Sequence, residues 1–106
     1  MAQLAAHTEL DARLEPLLQA AISGDRSAFD AFAAEALAEL RVFVGLRSTN
    51  AAMTEEVVQA TLVRAFHGLA GFRRDGRPMA WLKGIARNVL REELRRLGRM
   101  RTEATA

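Results

Sequence analysis

The sequence contains no cysteine and no tyrosine, and it has only two prolines in 106 residues. Without cysteine, neither a disulfide framework nor thiolate chemistry is available, which is compatible with a reducing compartment. The lack of tyrosine disfavours β-sheet, and no segment alternates between apolar and polar residues for long enough to form a strand. These absences favour an all-helical protein.

Long apolar runs are also missing. No stretch approaches the roughly 20 residues that a membrane-spanning helix needs, and residues 1–16 lack the basic region followed by an apolar run that marks a secretory signal. We therefore expect a cytoplasmic protein without a membrane partner. The length fits a single domain spanning residues 1–106, with about 10–99 ordered and with 1–8 and 100–106 mobile.

Charge is distributed unevenly along the chain. The formal net charge is only +2, but residues 1–72 carry five arginines against nine acidic residues. Residues 73–101 carry ten lysines or arginines against three acidic residues. An acidic half joined to a basic half indicates two surfaces with different partners, although a basic helix can also be merely solvated.

Four segments have the apolar spacing of amphipathic helices, at about 10–23, 27–46, 54–69 and 79–99. Gly24 is placed as a glycine that ends the first helix, and Thr54 as the N-cap of the third, followed by acidic residues in its first turn. Pro78 suits the first turn of the fourth helix. The pattern predicts an all-α fold, a compact bundle of four main helices.

Residues for catalysis or metal binding do not form a recognisable set. His7 and His67 have no metal-ligand spacing, and the adjacent carboxylates of Glu55–Glu56 and Glu92–Glu93 diverge around a helix instead of meeting. No serine or threonine lies in a nucleophile motif, and no glycine-rich loop precedes a helix as a phosphate cradle. We expect a protein that is not an enzyme and that uses no cofactor or metal.

The basic half contains the most informative pattern. On the fourth predicted helix cations recur at every fourth position, which predicts that they line one face: Lys83, Arg87, Arg91, Arg95 and Arg99. Such a face can neutralise several DNA phosphates. The loop before the helix adds Arg73, Arg74 and Arg77 beside the flexible Gly76.

Two further residues of this region fit nucleic acid. Trp81 lies at the start of the basic helix, where an indole can stack on an unpaired base, but a core position is an equally good interpretation. Asn88 lies in mid-helix, where its propensity is poor, so a specific partner such as a base edge is favoured.

Several motifs together resemble region two of bacterial extracytoplasmic-function sigma factors. The matching segments are GDRSAF at 24–29, TEEVVQATLVRAF at 54–66, FRRDGR at 72–77 and AWLKGIARNVLREELRR at 80–96. They are similar to the family patterns GDxxAF, EDVVQETFLRAW and WLxxIARNxxxDxxRR. The resemblance covers about residues 17–97.

The resemblance implies two partners, core RNA polymerase and promoter DNA. The third helix would bind the clamp-helix coiled coil of the largest polymerase subunit through positions matching Glu56, Gln59 and Arg64. The loop and fourth helix would recognise and open the minus-ten element and hold a base flipped from the non-template strand. The implied DNA-binding residues are Arg73, Arg74, Arg77, Trp81, Lys83, Arg87, Asn88, Arg91, Glu92 and Arg95.

The sequence departs from the family pattern at some positions. Ala60 replaces a usual glutamate, which would weaken polymerase binding, and Glu92 replaces a usual aspartate. The family's second DNA-binding domain, which reads the minus-thirty-five element, would also be missing from this chain.

Two alternatives stay open at this stage. A sigma-like decoy would bind an anti-sigma factor and so release a true sigma factor. A helical interaction domain would use its basic helix on an acidic protein or a membrane. The cations of the fourth helix and Asn88 favour DNA contact over the decoy, which has no need to keep base-reading residues.

Overall fold

A computed structural model describes the backbone of residues 2–73 and 76–105 and the side chains of 9–73 and 76–104. Arg74 and the side chain of His7 lie outside these ranges. The described chain forms four α-helices and a short 3₁₀ helix, and it contains no strand. The helices are α1 (Ala2–Ile22), α2 (Arg26–Gly45), α3 (Ala51–His67) and α4 (Pro78–Thr105), with the 3₁₀ helix at Leu69–Gly71. The all-α, four-helix prediction is confirmed.

The turn between α1 and α2 follows the sequence signals. Gly24 adopts a φ of 107°, a left-handed conformation that glycine enters without a steric penalty. Asp25 then caps α2, because its carboxylate accepts a hydrogen bond from the Ala28 backbone N–H at 3.2 Å. The Ser27 hydroxyl donates to the same carboxylate oxygen at 2.7 Å. This bond is the main reason why the pKa of Asp25 lies below its ordinary value.

The predicted N-cap of α3 is wrong. Asn50 is the cap, since its Oδ1 accepts a hydrogen bond from the Met53 N–H at 2.8 Å. Thr54 lies one turn further on, where its hydroxyl donates to the Asn50 carbonyl at 3.1 Å. Asparagine caps at least as well as threonine, and burial of Met53 begins the apolar stripe earlier than the sequence suggested. Glu55 therefore lies beyond the first turn.

The start of α4 combines a local and a distant signal. Pro78 is its first residue, as the sequence predicts. The carboxylate of Asp11 on α1 accepts a hydrogen bond from the Met79 backbone N–H at 3.0 Å. A side chain 68 positions away thus satisfies one of the open N–H groups at this helix end. Both α1 and α4 extend beyond the predicted bounds at Leu10 and Arg99.

The core lies around α2, which packs against the other three helices. Its fully buried side chains include Phe32, Leu40 and Val44, which meet apolar residues from every helix. The one buried polar side chain in the described core, Thr61, is satisfied because its hydroxyl donates to the Val57 carbonyl at 2.7 Å. Among the described residues, no helix is long and apolar enough to span a membrane.

Candidate nucleic-acid interface

A pocket of about 380 Å³ opens where the loop meets the start of α4. Two aromatic rings line it: the Phe72 side chain is buried, and its ring meets the Trp81 ring edge-on, with 5.4 Å between the ring centroids. These two rings form an aromatic wall of a pocket that two arginines also line. Its lining residues are Gly71, Phe72, Arg73, Gly76, Arg77, Ala80 and Trp81.

A hydrogen bond joins the backbone at positions 73 and 76, which both line this pocket. The Gly76 N–H donates to the Arg73 carbonyl at 2.9 Å. A Cβ at position 76 would lie 3.1 Å from that carbonyl oxygen and 3.5 Å from the Phe72 ring. Because glycine has no Cβ, the backbone at position 76 can lie this close to the Arg73 carbonyl and the Phe72 ring.

The position of Trp81 is compatible with both roles that the sequence allows, which are packing in the core and stacking on a base. The side chain is half-buried and packs against the core, and it also lines the pocket. One part of the indole therefore stabilises the bundle, while another part stays accessible to a ligand.

The outer face of α4 carries four of the ten predicted DNA-binding residues. Arg87, Asn88, Arg91 and Arg95 are all exposed. The Arg91 guanidinium donates to the Asn88 Oδ1 at 3.4 Å, which restricts the orientation of the amide. Cations and an amide therefore share one solvent-facing surface that starts close to the pocket.

Lys83 departs from the predicted ladder. Its side chain is only 18% exposed, with Nζ 3.8 Å from the Glu39 Oε2 on α2 and 5.5 Å from the centroid of the Phe43 ring. A step of four residues turns a helix by about 40° more than a full circle, so a run of such steps winds around the rod. The prediction that Lys83 shares the exposed face is wrong, because it points towards α2.

Arg47 is a cation near this surface that the sequence did not single out. It follows α2, and its guanidinium lies 3.7 Å above the Phe43 ring and donates to the Phe43 carbonyl at 2.9 Å. The Arg87 guanidinium lies 5.2 Å from the same ring. A single basic residue after a helix is weak evidence for a DNA-binding position. The short distance between Arg47 and Arg87 depends on how α2 and α4 pack.

The residues assigned to polymerase lie on α3. Glu56 and Gln59 are exposed on its outer side. Arg64 is exposed as well, and both of its terminal nitrogens donate to the Glu92 carboxylate on α4, one of them at 3.2 Å. This pairing is the main cause that lowers the pKa of Glu92 and raises that of Arg64. One ion pair thus joins residues that the resemblance assigned to different partners.

A second, mostly apolar groove of about 430 Å³ lies between the start of α2 and the end of α3. Arg26 lies over the Phe66 ring at 5.0 Å, and Val63 is 57% exposed at the groove. His67 also lines it, but the described residues contain no group of three or more potential metal ligands.

Comparison with solved structures defines the class of fold. An engineered region 2 of sigmaE, solved by NMR in complex with GTAAAA, superposes with a TM-score of 0.77 at 23% sequence identity. The match covers 82% of this chain and 90% of that one. The four-helix arrangement is therefore the fold of a sigma region 2.

The family follows from the sequence itself. Residues 35–100 match the sigma-70 region 2 family, and the chain belongs to that family. No curated protein matches the sequence. The resemblance to region two of a sigma factor is confirmed.

Family membership has two consequences. Sigma-70 region 2 domains serve in transcription initiation, where they bind core RNA polymerase and promoter DNA. They have no enzymatic activity of their own, so the prediction that the chain is not an enzyme is also confirmed.

Proposed function

We propose that this domain recognises the non-template strand of a minus-ten promoter element through the pocket at Trp81 and the outer face of α4. The observation that carries the proposal is the joining of an aromatic pocket to an exposed basic face. The pocket is lined by Phe72 and Trp81 and by Arg73 and Arg77, and the surface beyond it exposes cations and an amide.

The pocket suits a nucleobase removed from a stack. Unstacking a base costs a few kcal/mol, and stacking on an aromatic side chain returns about 1–3 kcal/mol. Arg73 and Arg77 line the same pocket and would neutralise the phosphates on either side of a flipped base. The structural neighbour that contains GTAAAA supports a single-stranded ligand of this kind.

The residues on the outer face of α4 would bind both the phosphates and the bases of the strand. Arg87, Arg91 and Arg95 would hold the backbone of the strand, which supplies affinity without sequence preference. Asn88 would read a base edge, since an asparagine side chain in a groove can hydrogen-bond to a base. The hydrogen bond from Arg91 holds the Asn88 Oδ1, so its NH₂ group is left to donate to a base.

The second partner would be core RNA polymerase, bound through α3. Glu56 and Gln59 are exposed on this helix and match the family's docking positions. Arg64 would contribute through its pairing with Glu92 as much as through direct contact. We further propose that residues 1–106 act as one domain, because all four helices share the described core.

Binding to fluorescein-labelled oligonucleotides, titrated with salt, tests the DNA proposal. Oligonucleotides with GTAAAA, with single-base changes and with a scrambled order would be compared by anisotropy. We expect the domain to prefer some sequences, Asn88→Ala to reduce that preference, and Arg91→Ala to weaken binding to every sequence while flattening the salt slope by roughly one.

The outcome separates the proposal from its rivals. Binding that ignores base order would reduce the surface to an electrostatic patch and overturn base recognition. A lack of DNA binding combined with tight binding to an anti-sigma factor would identify a decoy. Arg13→Ala is the matched control, because Arg13 is exposed on α1 and pairs with Glu35 instead of lying on α4.

A further inference from the structure

Three cations from two different parts of the chain surround the ring of Phe43. The guanidinium of Arg47 lies 3.7 Å from the ring centroid, that of Arg87 lies at 5.2 Å, and Lys83 Nζ lies at 5.5 Å. Since all three lie within 5.5 Å of one point, no two of them are more than about 11 Å apart. We call these residues the Phe43 cation cluster.

The cluster is only partly neutralised within the protein. Glu39 pairs with Lys83, the most buried of the three cations. Arg47 and Arg87 are exposed, and neither forms an ion pair with an acidic residue in the described part of the chain. Like charges at this separation repel each other, so the arrangement favours a bound anion.

Packing within the helix end does not by itself account for the cluster. Arg47 donates to the Phe43 carbonyl and thereby caps the end of α2, where one cation also suits the helix dipole. One cation is enough to cap the helix, however. A second guanidinium beside the same ring adds no hydrogen bond to the end of α2. Arg87 would avoid the repulsion by extending into solvent, which its exposure on α4 allows.

We propose that the Phe43 cation cluster is a binding site for a DNA backbone phosphate, with Arg47 and Arg87 as its ligating residues and Lys83 as a fixed charge behind them. This inference rests on the proposed function, because Arg87 also belongs to the exposed face of α4. It adds a residue from the loop after α2 to a surface so far assigned only to α4 and the loop before it.

Geometry supports DNA as the source of the phosphate. A DNA strand carries one negative charge per roughly 3.4 Å of helix axis, so a strand held by Arg91 has further phosphates within reach of a cluster one helical turn away. The guanidinium groups of Arg47 and Arg87 offer planar donors that match phosphate oxygens. A strand leaving α4 on the side of α2 would therefore meet the cluster next.

Salt-dependent binding of a labelled 20-nucleotide single strand of scrambled sequence tests the site. A single-strand phosphate contact contributes about 0.7 to the slope of log K against log salt. We expect Arg47→Ala to flatten the slope by about that amount and to weaken binding on the order of fivefold at 0.1 M salt, equally for all sequences. Arg47→Lys should retain most of the slope, because it preserves the charge.

Arg26→Ala is the matched control. Arg26 also lies over a phenylalanine ring, Phe66, at 5.0 Å, but at the opposite end of the 20-residue helix α2. At 1.5 Å per residue the two arginines are about 30 Å apart, so Arg26→Ala should leave the slope unchanged. Thermal unfolding by circular dichroism verifies that each variant is folded.

The outcomes separate this inference from the proposed function. If Arg91→Ala flattens the slope and Arg47→Ala does not, the phosphate site is overturned while the DNA-binding function stands. Equal losses in Arg47→Ala and Arg26→Ala would show a general charge effect and also overturn the site. If the unaltered protein binds the strand without salt dependence, both proposals fail together.

Discussion

Trp81 is the single tryptophan of the chain, and it lies at the pocket. Its ring contacts Phe72 edge-on while the side chain also packs on the core. The same side chain therefore contributes to the core and to the pocket. Substitutions at position 81 have to separate an effect on stability from an effect on ligand binding.

Replacing Trp81 tests the aromatic wall. Trp81→Phe keeps an aromatic face and should retain most of the binding, whereas Trp81→Ala should lose about 1–3 kcal/mol of oligonucleotide binding. Anisotropy titrations at fixed salt measure the difference. The intrinsic fluorescence of the unaltered protein should also change on binding, and equal affinities of the two variants would contradict the stacking role.

We expect Asp11 to position the same pocket. Its carboxylate caps α4 at the Met79 N–H, close to the loop that forms the pocket. Asp11→Ala should lower the free energy of unfolding by about 1 kcal/mol, as for other lost helix caps. Urea denaturation measures this loss.

The control for Asp11 is another helix cap. Asp25→Ala removes the cap of α2, which does not line the pocket, and should cost a similar amount of stability. Only Asp11→Ala should also weaken oligonucleotide binding. A binding loss of the same size in both variants would mean that the effect is general destabilisation.

Among the helices, α3 and α4 are joined by the ion pair between Arg64 and Glu92. These residues lie on the surfaces that we assign to polymerase and to DNA. The pair links the two surfaces, although both side chains are about half-exposed and water weakens their attraction.

The pH dependence of this pair has a definite sign. Arg64 lowers the pKa of Glu92 below its ordinary value, mainly through the hydrogen bond, with a smaller effect from Arg95. A lowered pKa in the folded state stabilises the protein at neutral pH, and that contribution is lost as the pH falls below 4.5, the ordinary value. We expect Glu92→Gln to be less stable than the unaltered protein at pH 7.

Urea denaturation at neutral and acidic pH measures this effect. The difference between Glu92→Gln and the unaltered protein should shrink as the pH is lowered towards 3. Glu55→Gln is a control from another interhelical pair, with Arg41, that lies away from α4. A difference for Glu92→Gln that stays constant with pH would contradict the assigned pairing.

In the whole molecule, stability depends on one core around α2. Leu40 is 0% exposed and belongs to the apolar cluster shared by the helices. Leu40→Ala should lower the free energy of unfolding by about 2–5 kcal/mol, a large part of the 5–15 kcal/mol typical of a domain.

Thermal and urea unfolding measure this change. Val42→Ala is the matched control, since Val42 lies two positions further along α2 but is 62% exposed, and it should cost far less. Similar losses in the two variants would contradict the central position of α2 in the core.

Much of this protein could be predicted from its sequence. Apolar spacing predicts the four helices, and short-range signals place Gly24 and Pro78 at helix ends. The motif around Trp81 and Asn88 indicates the family. These features depend on neighbours within a turn or two, which is the range over which spacing and capping act.

Tertiary structure decided which of these residues meet. Asp11 caps a helix that begins 67 to 68 positions further along the chain, and Lys83 points towards α2 instead of lying on the basic face. The guanidinium groups of Arg47 and Arg87 both contact the Phe43 ring. Spacing and capping signals cannot predict these contacts, because each contact depends on how two helices pack against each other. The sequence by itself determined the helices, their charge and the family, whereas packing around α2 determined which charges stand together on the surface.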